Sequence, residues 1–368
     1  MRIAVFCPSY GQIGGIETKA HRLIAAFRGA GHDVTVLARG DAEGSTDDAV
    51  PVVRAVYHQS PRRARHVARQ LRFLRKLPGT MRTLRRAVSD AGSDVVLTLA
   101  ITSYAPYFRG LTATAPVVLS LEGGEPGGQF TANPRLLRAA LQRATHVIAC
   151  ARSLGTAATA LAPDISSRLT VIPNGVDPEC FTDTAPYQHP RPYVAAVGRL
   201  VPQKGFDVLL DAFARLGADV DLLIAGEGPE RQRLESLRDR HGLGTRVHFL
   251  GATDATTVAR LFRGALLVAC PSRWEGLPLV SLEAMASARA VVASAVDGIP
   301  DAVVDGESGV LVPPDDPTAL ARAIASLLDA PDRREAFGAR GAALVRERFT
   351  WASVSAKYLA VLQSAARG

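Results

Sequence analysis

The chain has 368 residues, 47% of them hydrophobic, 6% aromatic and 21% charged, and carries a formal net charge of +8. That length accommodates two domains with separate cores, and the composition is ordinary for a soluble α/β protein rich in Ala and Val. No apolar run reaches the roughly eighteen residues that a membrane span requires, and the opening Met1 to Cys7 lacks the basic start and cleavage site of a signal peptide.

In chain order, the first half offers strand candidates at 2–7, 33–38, 94–100, 116–121, 145–150 and 169–172, and the second at 193–198, 220–226, 246–250, 265–270, 290–294 and 309–312. Most are separated by helix-length segments, the pattern of a parallel sheet. Between the halves, Asp177 to Pro192 is polar and carries four prolines, which places a hinge there. The expected organisation is an α/β chain with a first domain over 1–185, a second over 186–349, and a helical tail from Thr350. Cys7, Cys150 and Cys270 end apolar runs, Cys180 stands alone, and none has CxxC spacing. Reduced structural thiols and a cytoplasmic location follow. None of the eight histidines shows metal-ligand spacing.

The opening loop Pro8 to Gly15 precedes a helix from about Ile16. Its glycines permit close approach of the backbone to a ligand, and a tight strand-to-helix turn explains them equally well. A full G-x-G-x-x-G fingerprint is absent, which counts against an NAD enzyme. Glu17 stands at the helix start, where its charge is favourable in any case.

Charge is distributed unevenly. Through Pro190 there are 22 Lys and Arg against 14 Asp and Glu, whereas the remainder is balanced. Pro61 to Ser89 alone holds ten basic residues and no acid. Within it Val67, Leu71 and Leu74 share one helical face, and Arg62, Arg65, Arg69, Arg72 and Lys76 cluster opposite. Such a helix suits an anionic membrane surface or a phosphate-bearing acceptor, or is the solvated face of a helix packed on a sheet. No aromatic platform accompanies it, so nucleic acid is not an expected partner.

The second half carries the sharper chemistry. The strand Val194 to Gly198 runs into Arg199 and Lys204-Gly205, which places two cations at the carboxyl end of a strand, where open α/β sheets hold their ligands. Positive charge there can stabilise a departing diphosphate without a metal. Farther on, Arg273-Trp-Glu-Gly-Leu-Pro-Leu-Val-Ser-Leu-Glu283 sets Glu275 in a strand-to-helix loop and Glu283 about a turn into a helix over 279–287, with Pro278 at its first position. Helix starts bind phosphate, and carboxylates accept hydrogen bonds from neighbouring sugar hydroxyls. The combination fits a sugar–diphosphate–ribose ligand. Asp315-Asp316-Pro317 resembles an acidic metal site but reads as a helix cap.

Seven ordered pieces, Gly14-Gly15-Ile-Glu17, Pro173-Asn-Gly-Val-Asp177, Gly198-Arg199 with Lys204-Gly205, Ala225-Gly-Glu-Gly-Pro229, the E-x7-E stretch from Glu275 to Glu283, Gly298-Ile-Pro-Asp301 and Asp305-Gly-Glu-Ser-Gly309, span nearly the whole chain. In these the sequence resembles the retaining glycosyltransferases of family four. The resemblance implies a GT-B fold, two Rossmann-like parallel-sheet domains facing a central cleft, with the tail packing back on the first domain. It implies a nucleotide-diphospho-sugar donor, a UDP-sugar first among them, and a saccharide or lipid-linked acceptor, with no cofactor and no metal. The basic helix over Arg62 to Lys76 also allows a peripheral position on the inner face of the plasma membrane.

By the same resemblance Gly198, Arg199, Lys204, Glu275, Gly276, Leu277, Leu279 and Glu283 surround the donor. Arg199 and Lys204 hold its diphosphate, Glu283 its ribose and Glu275 its sugar hydroxyls, while Gly15 lends a backbone N–H to a phosphate. One departure concerns the segment after Val117 to Leu121. Many relatives carry a histidine there, and this chain has Glu122-Gly123-Gly-Glu125. With Glu17 these residues mark the acceptor side, and Glu122 takes the histidine's place as a base, a stabiliser of a cationic sugar, or a ligand for an acceptor amine. Three rival functions share the features: a sugar-nucleotide epimerase, the same transfer onto a small aminocyclitol or aminosugar, and a catalytically dead nucleotide-sugar sensor.

Overall fold

The structure, a computed structural model, describes the chain apart from residues 12–13, 40–49, 56–66, 100–106, 113, 124–133 and 218. The chain divides into two units, Met1–Pro173 together with Trp351–Gly368, and Asn174–Thr350. In the first, strands β1 (Arg2–Phe6), β2 (Asp33–Arg39), β3 (Val52–Ala55), β4 (Val95–Thr98), β5 (Val117–Leu121), β6 (His146–Ala149) and β7 (Leu169–Val171) form one sheet in the order β3-β2-β1-β4-β5-β6-β7. In the second, β8 (Tyr193–Val197), β9 (Asp221–Ala225), β10 (Val247–Gly251), β11 (Leu267–Cys270), β12 (Ala290–Ser294) and β13 (Gly309–Val312) run β10-β9-β8-β11-β12-β13. Every pairing is parallel. Strands β4, β5, β9, β11 and β12 are buried along their whole length. Continuous burial is why their sequences are unbroken apolar runs rather than alternating ones, since helices cover both faces of such sheets.

One strand escapes the sequence pattern. β3 is four residues, Val-Val-Arg-Ala, at the sheet edge, too short for a period-two signal. Two boundaries also differ. The units part between Pro173 and Asn174 rather than at 185/186, because the intervening stretch is tied to the second unit. There the Val176 amide donates to the Phe349 carbonyl at 2.8 Å, and the helix Glu179–Thr182 packs on the helices Ala255–Gly264 and Leu279–Ala286. Pro278 is the extended residue just before its helix, at φ −70° and ψ 127°, rather than the first residue inside it.

The last helix, Trp351–Arg367, belongs to the first unit and packs on the helix Gly15–Gly29 and on β4 and β5. Its Val354, Tyr358 and Leu362 are completely enclosed. The basic stretch forms the helix Val67–Asp90, whose C-terminal part turns Leu84 and Val88 into the core while Lys76 stays exposed. Arg69 and Arg72 lie on its first turns; Arg62 and Arg65, like Glu125, are outside the described residues. Among the described residues, no helix is long and apolar enough to cross a membrane.

Candidate active site

In the second unit the strand order reverses between β8 and β11, which lie side by side. Loops leaving the carboxyl ends of two such strands diverge to opposite faces and leave a crevice, the usual ligand position in doubly wound sheets. The two loops marked in the sequence are these: residues 198–205 after β8, and 271–278 after β11.

Backbone constraints hold the loops together. Gly205 has φ +63°, and a Cβ there would run into the Pro271 carbonyl. Gly226, at φ +138°, lies just as closely against the Gly198 carbonyl, which gives the Ala225-Gly-Glu-Gly-Pro229 turn a supporting role beneath the first loop. The Arg273 amide donates to the Gln203 carbonyl at 2.8 Å, and Gln203 Nε2 returns a bond to the Trp274 carbonyl at 3.0 Å. The Arg273 guanidinium reaches Asp207 at 2.9 and 3.1 Å, Asp315 at 2.6 Å and the Pro202 carbonyl at 2.6 Å. Burial alone would raise the Asp207 carboxyl, but its partners Arg273 and Arg233 hold it below the usual carboxylate range.

Glu275, 7% exposed, sits at the centre. Its Oε1 accepts from Lys204 Nζ at 2.5 Å and from Ser272 Oγ at 2.7 Å, and its amide donates to Asp297 Oδ2 at 2.7 Å. Asp297 itself has φ +45°, a left-handed conformation uncommon for a non-glycine residue and often retained at functional sites. Glu283 lies on the helix Leu279–Ala286. Its enclosed carboxyl is pushed up to about 7 by burial, against the pull of the Lys204 charge. Leu277 and Gly276 are buried beneath the loop, Leu279 is partly exposed, and the Leu277 carbonyl is fixed by Asn174 Nδ2 at 2.6 Å. Arg199 is exposed at the mouth of its loop. The residues assigned to the donor within this unit therefore occupy two neighbouring loops and one helix start. Gln203, Asp207, Ser272, Arg273 and Asp297 complete the arrangement. No sequence signal marks Gln203, Asp207, Arg273 or Asp297, because each acts across a separation that only the fold closes. Asp316 caps the helix Pro317–Leu328, accepting from the Ala319 amide at 2.8 Å.

In the first unit the reading of Glu122 requires correction. Its side chain is 4% exposed, with Oε2 paired to Lys19 Nζ at 2.8 Å and Oε1 accepting from Ser120 Oγ at 2.6 Å. Lys19 is 1% exposed and stands 5.1 Å over the Tyr358 ring, while Tyr358 Oη meets Ser120 Oγ at 2.8 Å. Burial would lower the Lys19 ammonium, but Glu122 beside it, with Tyr358 and Cys150, holds it above its ordinary value. A carboxylate with both oxygens engaged in the interior is not poised to take a proton from an acceptor hydroxyl. Glu122 instead joins the helix Gly15–Gly29 and β5 to the last helix. Gly123 follows it at φ +76°. Gly15 is exposed at the start of its helix, and the Glu17 carboxylate folds back over Gly14 into the space a Cβ would fill.

Two parallel doubly wound units, one with cationic and carboxylate side chains at its switch point, have the GT-B architecture. Comparison with known proteins agrees. The description Glycosyltransferase Family 4 matches residues 13–180, and Glycosyl transferases group 1 matches 184–343. The chain is 31% identical, over an alignment 388 positions long, to a phosphatidyl-myo-inositol mannosyltransferase of Mycolicibacterium smegmatis, covering 99% of this chain and 94% of that one. It is 36% identical over 163 residues to an alpha-D-kanosaminyltransferase of Streptomyces kanamyceticus, covering 44% and 42%. Among solved structures it superposes on Anabaena HepE in complex with UDP with a TM-score of 0.80 at 21% identity, covering 99% and 100% of the two chains. The chain belongs to the family 4 glycosyltransferases.

Proposed function

We propose that this glycosyltransferase is a retaining enzyme that moves a sugar from a nucleotide-diphospho-sugar, a UDP-sugar first among candidates, to an envelope lipid or polysaccharide acceptor. The observation that carries the reading is the Lys204–Glu275 pair beside Glu283 at the switch point of the second unit. An ammonium has three N–H donors. Glu275 takes one, which aims the group and leaves the others for diphosphate oxygens. Glu275 Oε2, with Gln203 Nε2 at 3.5 Å, keeps capacity to accept from sugar hydroxyls, and Glu283 supplies the acceptor for a ribose.

As the bond from the anomeric carbon to the diphosphate loosens, negative charge grows on the departing oxygens and positive charge on the sugar. Lys204 and Arg199 meet the first, and the Glu275 carboxylate lies near the second, so the opposing charges are stabilised where they form. The acceptor hydroxyl attacks from the face the diphosphate leaves, and a diphosphate oxygen takes its proton. This reading calls for no metal, because the two cations provide the positive charge. The UDP held by the structurally similar HepE supports uridine as the nucleoside.

A lipid-type acceptor is supported by the whole-length likeness to the phosphatidyl-myo-inositol mannosyltransferase and by the basic helix Val67–Asp90. With that acceptor the protein works at the inner face of the plasma membrane. The partial likeness to the kanosaminyltransferase favours a small soluble acceptor instead, although burial of Glu122 removes one of the two acids that would have bound an amine there.

Calorimetric binding and turnover against a panel of nucleotide sugars, wild type beside Glu283→Ala, tests the proposal. Tight binding of one donor, lost in the variant, with slow release of the sugar as its original anomer, is expected. No binding of any donor, or binding indifferent to Glu283, would overturn it.

A further inference from the structure

At the opposite edge of the second sheet, away from the strand ends that carry Lys204 and Glu275, three side chains far apart in sequence converge. His189 precedes β8, Asp221 opens β9 and His248 is the second residue of β10, and β10, β9 and β8 are consecutive in the sheet. His189 Nε2 stands 2.8 Å and His248 Nε2 3.2 Å from the same oxygen, Asp221 Oδ2. The two rings lie 5.2 Å apart between centroids, and one ligand atom from each of the three residues lies within 4.8 Å of the others.

We propose that His189, Asp221 and His248 form a binding site for a first-row transition dication, of which Zn2+ is the natural probe. Two imidazoles and one carboxylate are a ligand set such ions favour. With metal–ligand bonds of about 2.0–2.2 Å, neighbouring ligand atoms stand roughly 2.8–3.1 Å apart in octahedral and about 3.3–3.6 Å apart in tetrahedral geometry, so the two distances to Oδ2 need little adjustment. Each neutral imidazole presents the Nε2 lone pair once its proton resides on Nδ1.

The Asp221 side chain is 3% exposed, and among the described residues its Oδ1 accepts no hydrogen bond. A carboxylate that deeply placed calls for fuller satisfaction than two N–H groups on one oxygen. The cation nearest Oδ1 is Arg191, at 3.4 Å; it also pairs with the exposed Asp219 and can turn toward it when a metal arrives. His248, at 37% side-chain exposure, opens the site to solvent for ion entry and for a water in the remaining coordination position. The ion would clasp the segment before β8 to β9 and β10. It takes no part in sugar transfer, so the inference stands apart from the proposed function.

The test uses the full chain stripped with EDTA and titrated with Co2+, whose visible bands report nitrogen and oxygen ligation, followed by Zn2+ competition. One Co2+ per chain, displaced by Zn2+, and a thermal midpoint raised by saturating Zn2+ are expected. His248→Ala, and separately His189→Gln, should each weaken binding by more than about tenfold, the loss that removal of even an outer partner causes, and should abolish the Zn2+ effect on melting. Cooperative melting of the metal-free variants verifies their fold. Should either fail to fold, protection of both histidines from diethylpyrocarbonate by Zn2+ in the wild type decides. Absence of saturable binding, binding unchanged in the folded variants, or histidines left reactive under saturating Zn2+ would each overturn the proposal.

Discussion

Lys204 and Glu275 meet at 2.5 Å although they lie 71 residues apart on different loops. Each positions the other: the carboxylate fixes the ammonium, and the ammonium places a counter-charge against a nearly buried carboxylate. Glu275→Gln keeps the shape and removes the charge. It should lower kcat by about 10²-fold, the size of effect seen when one preorganised electrostatic partner is lost, with donor Kd changed far less. Steady-state kinetics together with calorimetric donor binding separates the two; a variant with wild-type kcat would refute the assignment.

Glu283 offers a prediction in pH. Burial pushes its carboxyl up to about 7 in the folded chain, from an ordinary value near 4.5. Between those values the folded state holds more protons than the unfolded one, so stability falls as pH rises from about 4.5 toward 7 and is lowest above it. Glu283→Gln cannot ionise. The variant should therefore gain melting temperature over wild type at pH 8 and lose that advantage near pH 4.5. Parallel melting curves for the two proteins across this range would contradict the burial assigned to Glu283.

The Lys19–Glu122 pair is a structural element of the first unit. Lys19→Met leaves a carboxylate buried without its counter-charge, and breaking such a pair costs about 3–5 kcal/mol. Lys19→Met combined with Glu122→Leu removes both charges and should recover most of that loss in denaturant unfolding. In folded protein Glu122→Gln should leave acceptor KM unchanged and kcat within about twofold. A kcat loss of about 10²-fold or more, the scale of a missing general base, would restore Glu122 to the reaction.

For the basic helix, flotation with vesicles containing anionic lipid should carry the protein upward at low salt and release it as salt screens the charges. Replacing Arg69, Arg72 and Lys76 together by Ala should weaken the association by about 1 kcal/mol per charge. Equal partitioning onto neutral and anionic vesicles would remove the membrane from the acceptor reading.

Most of the architecture was legible because its signals are local. The apolar runs of β1, β5, β9 and β12 exceed the minimum a buried strand needs, and the helices between them announce parallel order. β3 was lost because four edge residues carry no period. The unit boundary lies ahead of the proline-rich stretch rather than within it, since proline marks a break in regular structure and says nothing about which side a segment packs on. Arg199, Lys204, Glu275 and Glu283, to which the proposal assigns the donor, stand out in the sequence because their residue types match a ligand's chemistry at fixed offsets from predicted strand ends.

The sequence by itself determined the class of fold, the pair of loops to which the proposal assigns the donor, and the concentration of basic charge in the first half. Only the tertiary structure decided what each carboxylate faces. Glu275 and Glu122 are equally acidic in sequence, yet one lies at a switch point beside Lys204 and the other is sealed between Lys19 and Ser120. His189 and His248 likewise share no spacing rule and meet only because β8, β9 and β10 stack in order. The physical reason is that charge acts over a few ångströms in a medium whose polarity depends on burial. Both distance and burial belong to the folded chain.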